Sequence, residues 1–109
     1  DIVITAVTAA ELMYGVERLT DGRRKNVLRA QVEGLLSEDF RNQTLPFDAP
    51  AARCYAEIVV SRQRTGRPIG MADAQIAAIC RAWEAPLATR NVNDFSGTGI
   101  DVLNPWNPA

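Results

Sequence analysis

The sequence predicts an α/β fold with a largely parallel sheet, and three observations lead there. Short β-branched or apolar runs alternate with segments of helical periodicity, the order produced when crossover helices join parallel strands. Hydrophobic residues make up 47% of the 109 positions and charged residues 23%, the balance of one globular domain rather than a disordered chain. The β-branched run Ile2-Val3-Ile4-Thr5 places a strand ahead of the first helix.

The elements follow in order. Ile2 to Thr5 reads as a buried strand. Thr8-Ala9-Ala10-Glu11 has the spacing of a capping box, and Leu12, Val16 and Leu19 recur at helical intervals, so a helix runs from about 8 to 19. Asp21-Gly22 breaks it. Val27, Leu28, Val32, Leu35 and Leu36 mark a second amphipathic helix that ends near Glu38-Asp39, and Gln43 to Phe47 forms a short strand. Asp48 suits an N-cap with Pro50 in the first turn, and Ala51, Tyr55, Ile58, Val59 and Arg62 carry a helix toward Gly66. Arg67-Pro68-Ile69-Gly70 stops it. Met71 to Trp83 is the most regular helical stretch, with Ala72, Ile76, Ile79, Cys80 and Trp83 on one face. Pro86 to Thr89 and Ile100 to Leu103 supply two further strands before Asn104-Pro105-Trp106.

Composition removes several function classes. Twelve Lys+Arg against thirteen Asp+Glu give a net charge of -1, so any nucleic-acid site is a local patch rather than a property of the whole surface. Apolar runs fall short of the roughly 20 residues of a membrane helix, and Asp1 to Thr5 lacks the basic start of a signal peptide. A cytoplasmic protein without a membrane partner is therefore expected. With no histidine, Ser-His-Asp and Cys-His nucleophiles, histidine bases and nearly all catalytic zinc sites drop out. Cys54 and Cys80 are too far apart for a CxxC motif and sit among apolar residues, as buried free thiols do. No phosphate-cradle or hydrolase-elbow motif is present.

Carboxylates remain as candidate reactive groups, and three stand beside apolar elements. Glu11 follows the first strand, Asp73 opens the Met71 to Trp83 helix, and Asp94 follows the Pro86 to Thr89 strand. Ligands of open parallel sheets gather at the carboxyl ends of strands, so the three are expected to converge there as hard oxygen donors suited to Mg²⁺ or Mn²⁺. Each also has a plain structural use. Glu11 can close a capping box with Thr8, Asp73 can complement a helix dipole, and Asp94 can order a turn.

Three strings resemble the signatures of the PIN-domain family and occur in its order: Thr5-Ala6-Val7-Thr8-Ala9-Ala10-Glu11-Leu12, Met71-Ala72-Asp73-Ala74-Gln75-Ile76-Ala77-Ala78 and Ala88-Thr89-Arg90-Asn91-Val92-Asn93-Asp94-Phe95. The likeness is to toxin ribonucleases of the VapC and FitB type, and it extends to Leu45-Pro46-Phe47-Asp48 and to Asn104-Pro105-Trp106. It implies a single PIN domain over residues 1–109, a three-layer sandwich whose mainly parallel central sheet is flanked by helices. It further implies a metal-dependent endoribonuclease with Mg²⁺ or Mn²⁺ in an acidic pocket. By that likeness Asp73 is a metal ligand, and Glu11 binds the metal or orients its water. The fourth acidic place falls at Asn91 or Asp94, of which Asp94 carries the acid. Thr89 and Asn91 would hydrogen-bond a ligating carboxylate or bound water, or else only order the turn. Family members begin with a strand that ends in an Asp, followed by a helix, so a chain lacking that amino-terminal segment and its acid is expected here.

The basic residues form two groups, Arg23-Arg24-Lys25 and Arg62-Arg64-Arg67. Arg64 and Arg67 are candidates for contact with an RNA backbone or an acidic partner, with solvated helix ends as the plain reading. The resemblance also implies an RNA substrate, a homodimer and a cognate antitoxin that blocks the pocket. Leu12, Met13, Val16, Leu28 and Leu35 are candidates for the antitoxin contact as well as for the core. Two rival functions compete with the enzyme. One is a non-catalytic PIN remnant that binds antitoxin or RNA without cleaving it. The other is a receiver-like signalling domain, which needs a lysine in its pocket, whereas the sole lysine is Lys25 in a basic group.

Overall fold

The computed structural model describes residues 3–39 and 43–105, which fall into two units, Asp1–Pro46 and Phe47–Ala109. Asp1, Ile2 and Trp106, named in the sequence reading, lie outside the described residues.

In the amino-terminal unit, strand β1 (Ile4–Thr5) runs directly into helix α1 (Ala6–Glu17). Thr5 makes that junction possible. Its backbone is extended, its side chain is buried, and its Oγ1 accepts the Thr8 N–H at 3.0 Å, satisfying one of the orphan donors of the first turn. Thr5 Oγ1 also donates to Thr8 Oγ1 at 3.0 Å. The cap therefore lies at Thr5, and the capping box expected of Thr8 and Glu11 is not what starts the helix. Thr8 is already inside α1, and Glu11 is exposed along it.

Helix α2 (Arg23–Gly34) packs on α1 and continues into a π-helical turn, Leu35–Asp39, close to the expected end. Lys25, expected in a basic surface group, is buried instead. Its Nζ donates to the Glu17 carbonyl at 3.0 Å and to Asp21 Oδ1 at 3.1 Å, so the cation closes the negative end of α1. Strand β2 (Thr44–Leu45) pairs in parallel with β1, Ile4 opposite Thr44 and Thr5 opposite Leu45.

In the carboxy-terminal unit, helix α3 (Ala49–Arg64) starts as the sequence predicts, with Asp48 Oδ1 accepting the Ala51 N–H at 3.2 Å and Pro50 in the first turn. It ends where Gly66 adopts φ +73°. The Gly66 N–H reaches the Gln63 carbonyl at 3.1 Å and the Arg67 N–H reaches the Arg62 carbonyl at 2.9 Å, a Schellman closure that turns the chain back on the helix. Helix α4 (Met71–Ala82) packs against α3, and Ala51, Ile58, Ala74, Ala77, Ala78 and Ile79 form the dry centre of the unit. Trp83 does not extend that apolar face. It lies beyond the last residue of α4, ahead of Glu84 at φ +52°, and is 49% exposed.

Strand β3 (Leu87–Ala88) pairs in parallel with β4 (Val102–Leu103), Leu87 opposite Val102 and Ala88 opposite Leu103. A 3₁₀ turn, Val92–Phe95, lies between them and buries Phe95. The α/β character and the parallel pairing match the sequence reading, with one parallel ladder in each unit. Cys54 and Cys80 are both free. Cys80 is buried, which pushes its thiol up to about 11, whereas Cys54 is only half-buried. Among the described residues no helix is long and apolar enough to cross a membrane.

Candidate acidic site

The carboxy-terminal unit brings Asp73 and Asp94 together. Gly70 leads the chain into α4 in extended conformation, and Asp73 falls in the first helical turn, where the N–H groups lie free and the dipole favours a negative charge. Asp73 is half-buried. Burial pushes its carboxyl above the usual carboxylate range, the charge on Asp94 pushes it the same way, and the Arg62 guanidinium opposes both.

Asp94 is exposed on the 3₁₀ turn that follows β3, and its backbone is fixed from both sides. The Asp94 N–H donates to the Asn91 carbonyl at 3.0 Å, while the Asn91 N–H donates to Thr89 Oγ1 at 3.1 Å. Thr89 and Asn91 thus order the turn that presents Asp94. Of the two positions open for the fourth acid, Asp94 is the one whose charge acts on Asp73. A cleft of about 520 Å³ opens beside it, lined by Arg90, Asn91, Val92, Asn93, Asp94 and Asn104. Glu11 belongs to the amino-terminal unit, where it is exposed on α1.

Arg62 is the functional residue the sequence reading passed over. It is 6% exposed, with its Nε donating to the Arg67 carbonyl at 2.6 Å and its Nη1 to the carbonyls of Asp94 and Ser96 at 2.9 and 3.1 Å. Its signal was its spacing, since Ala51, Ile58 and Arg62 follow the buried stripe of α3. Arg67, predicted to contact RNA or a partner, directs its fork inward along the same loop. Nη1 donates to Ser96 Oγ at 2.8 Å and Nη2 to the Asn93 carbonyl at 3.2 Å. Arg64 is exposed, and among the described residues no hydrogen bond or ion pair engages it.

The donor chemistry fits a hard divalent cation. The charge on Asp94 adds to the cost of ionising the half-buried Asp73, and a cation between them relieves that repulsion. Mg²⁺ commonly takes one or two carboxylates and keeps several waters. Among the described residues no group of three or more acidic or cysteine side chains converges, so the pair is the protein's contribution within this unit.

A carboxylate pair after a parallel strand, beside a helix start, stands where open α/β sheets gather their ligands. The PIN domain family model matches residues 1–99. The chain is 35% identical over 108 residues to VapC ribonuclease Y4jK of Sinorhizobium fredii, covering 99% of this chain and 77% of that protein. The structure of FitAB bound to an IR36 DNA fragment matches with a TM-score of 0.92 at 36% identity, over 98% of this chain and 75% of that one. The crystal structure of VapBC-5 from Mycobacterium tuberculosis, a member of the VapBC family of toxin-antitoxin systems, matches with a TM-score of 0.77 at 27% identity, over 92% of this chain and 79% of that one. The chain belongs to the PIN-domain family, and within it to the VapC-type ribonucleases of toxin-antitoxin systems.

Proposed function

We propose that the chain is a Mg²⁺- or Mn²⁺-dependent endoribonuclease toxin that hydrolyses RNA phosphodiester bonds in the cytoplasm and is restrained by a cognate antitoxin. The observation that carries this reading is the pairing of Asp73 with Asp94, two hard donors held at a strand exit with a half-buried carboxyl. Kinship with a VapC ribonuclease and with a member of a toxin-antitoxin family supports the substrate class and the partner.

In this reading Asp73 and Asp94 bind the ion. Thr89 and Asn91 hold the turn so that Asp94 keeps its aim. Glu11 joins as a third carboxylate on the strength of its motif, as ligand or as the group that orients water. When bound, the ion supplies Lewis acidity that activates water for in-line attack and offsets the charge developing on the phosphate oxygens. Arg64, whose guanidinium is exposed, contacts the RNA backbone. Pairing of two copies into a homodimer completes the proposal.

One observation favours the rival reading, a PIN remnant that binds antitoxin or RNA without cleaving. Among the described residues of the carboxy-terminal unit two carboxylates come together, not three. Cleavage of a mixed structured RNA in Mn²⁺, with EDTA, Asp73→Asn and Glu11→Gln as controls, separates the two. Metal-dependent cleavage abolished in Asp73→Asn supports the enzyme, and RNA binding without cleavage in Mn²⁺ supports the remnant.

A further inference from the structure

Two arginines of α3 and its closing turn converge on one loop. Arg62 is buried, yet the partners of its guanidinium in this loop are main-chain carbonyls, those of Asp94 and Ser96. Arg67 is brought beside it by the Gly66 turn, and its fork takes Ser96 Oγ and the Asn93 carbonyl. A fifth bond, Arg62 Nε to the Arg67 carbonyl at 2.6 Å, locks the two arginines to each other. The loop adds bonds of its own, the Asp94 N–H to the Asn91 carbonyl at 3.0 Å and Ser96 Oγ to the Asn93 carbonyl at 3.0 Å, but these are local and do not tie it to α3. Gly97 follows at φ +74°, where a Cβ would lie 3.9 Å from Arg62 Cδ, so the chain leaves the clamp by a left-handed step.

Four of these five bonds join the carboxyl end of α3 and its closing turn to the segment that carries Asp94, while Asp73 is fixed separately on α4. Packing of α3 on α4 then couples the two acids through Arg62. We propose that Arg62, buttressed by Arg67, is the positioning residue of the acidic site: the pair of guanidiniums sets where Asp94 stands relative to Asp73 and thereby sets affinity for the divalent ion. The inference rests on the metal site proposed above. A guanidinium is required because Nε meets the Arg67 carbonyl while Nη1 meets those of Asp94 and Ser96, a spread of donors that the single nitrogen of lysine does not cover.

The test uses the full chain and Mn²⁺ alone as probe, titrated by calorimetry, with melting followed in EDTA. The variants are Arg62→Lys, which keeps the buried charge, and Arg67→Gln, which alters an exposed side chain and spares the core. Groups that orient ligating side chains typically change metal affinity by about 10- to 100-fold. The expected result is a rise of about 10-fold or more in the Mn²⁺ dissociation constant for Arg62→Lys and a smaller rise, roughly 3- to 10-fold, for Arg67→Gln. Arg67→Gln is expected to keep its melting temperature in EDTA, a split that a merely structural role would not produce. Should Arg62→Lys fail to fold, Arg67→Gln decides the matter alone. Wild-type chain that binds Mn²⁺ with Asp73→Asn abolishing it, but with Arg67→Gln unchanged in affinity, overturns the positioning role and leaves the metal site standing. Wild-type chain that binds no Mn²⁺ overturns the metal site, and the positioning role falls with it.

Discussion

Asp73→Asn is expected to stabilise the metal-free protein while removing its response to metal. Asparagine copies the shape of the protonated acid, so the substitution isolates the consequence of ionising Asp73. In the folded chain burial and Asp94 raise that carboxyl above its ordinary value of 3.8, which stands for the unfolded chain. Between the two values the folded state holds more proton than the unfolded state, so stability contributed by this group falls as pH rises through the window. Above the raised value both states are ionised and the full penalty is present; well below 3.8 both are neutral and it is absent. The helix dipole works against the penalty, favouring a first-turn carboxylate by about 0.3–1 kcal/mol, and the raised carboxyl means that burial and repulsion outweigh it.

A bound cation reverses the balance. At a concentration 100 times its dissociation constant it stabilises the fold by about 2.7 kcal/mol, worth roughly 10 °C in a chain of this size. Thermal melts at pH 7 in EDTA should therefore place Asp73→Asn above the wild type, and melts in saturating Mn²⁺ should invert that order. The EDTA difference should vanish as the pH is lowered below 3.8. A variant that melts below the wild type in EDTA at pH 7, or that keeps the full Mn²⁺ shift, would refute the reasoning.

Three further outcomes follow from the structure. Ile79 is fully buried, so Ile79→Ala should lose about 2–5 kcal/mol in urea denaturation, and a loss under about 1 kcal/mol would contradict its place in the α3–α4 core. Arg64→Ala should reduce the slope of log affinity for single-stranded RNA against log salt by about 0.7, one phosphate contact, and an unchanged slope removes Arg64 from the RNA surface. With its thiol pushed up to about 11, Cys80 should resist alkylation at pH 8 in the folded protein and react once unfolded; rapid labelling of the native chain would show that the site is open.

Local chemistry made much of the fold legible. Asp48 with Pro50 marks the start of α3 because a cap and a fixed φ act within one turn, and the apolar spacing of α4 survives because its partner helix buries that stripe. Tertiary context decided the rest. Thr8 and Glu11 have capping-box spacing, but Thr5, buried in the β1–β2 pair, needs a donor for its hydroxyl and takes the cap itself. Trp83 has the right phase for the apolar face, yet α4 stops one residue earlier, before a left-handed Glu84 where no glycine announced a turn.

At the site, Asp73 and Asp94 were visible because both follow strand or loop ends in a recognisable order. The clamp was not. Arginine is mostly a surface residue, and Arg62 finds its partners 32 and 34 positions away in main-chain carbonyls, which leave no mark in the side-chain sequence. Lys25 misled for the same reason, since one of its acceptors is the Glu17 carbonyl.

The central claim, that Asp73 and Asp94 jointly hold a divalent cation, is tested most directly by anomalous diffraction from crystals grown in Mn²⁺. A single Mn²⁺ peak with carboxylate oxygens of both residues in its shell, or joined to them through water, is the expected result; direct metal–oxygen distances should be about 2.1 Å. Mn²⁺ seated away from both aspartates, or no Mn²⁺ at a saturating concentration, would contradict it.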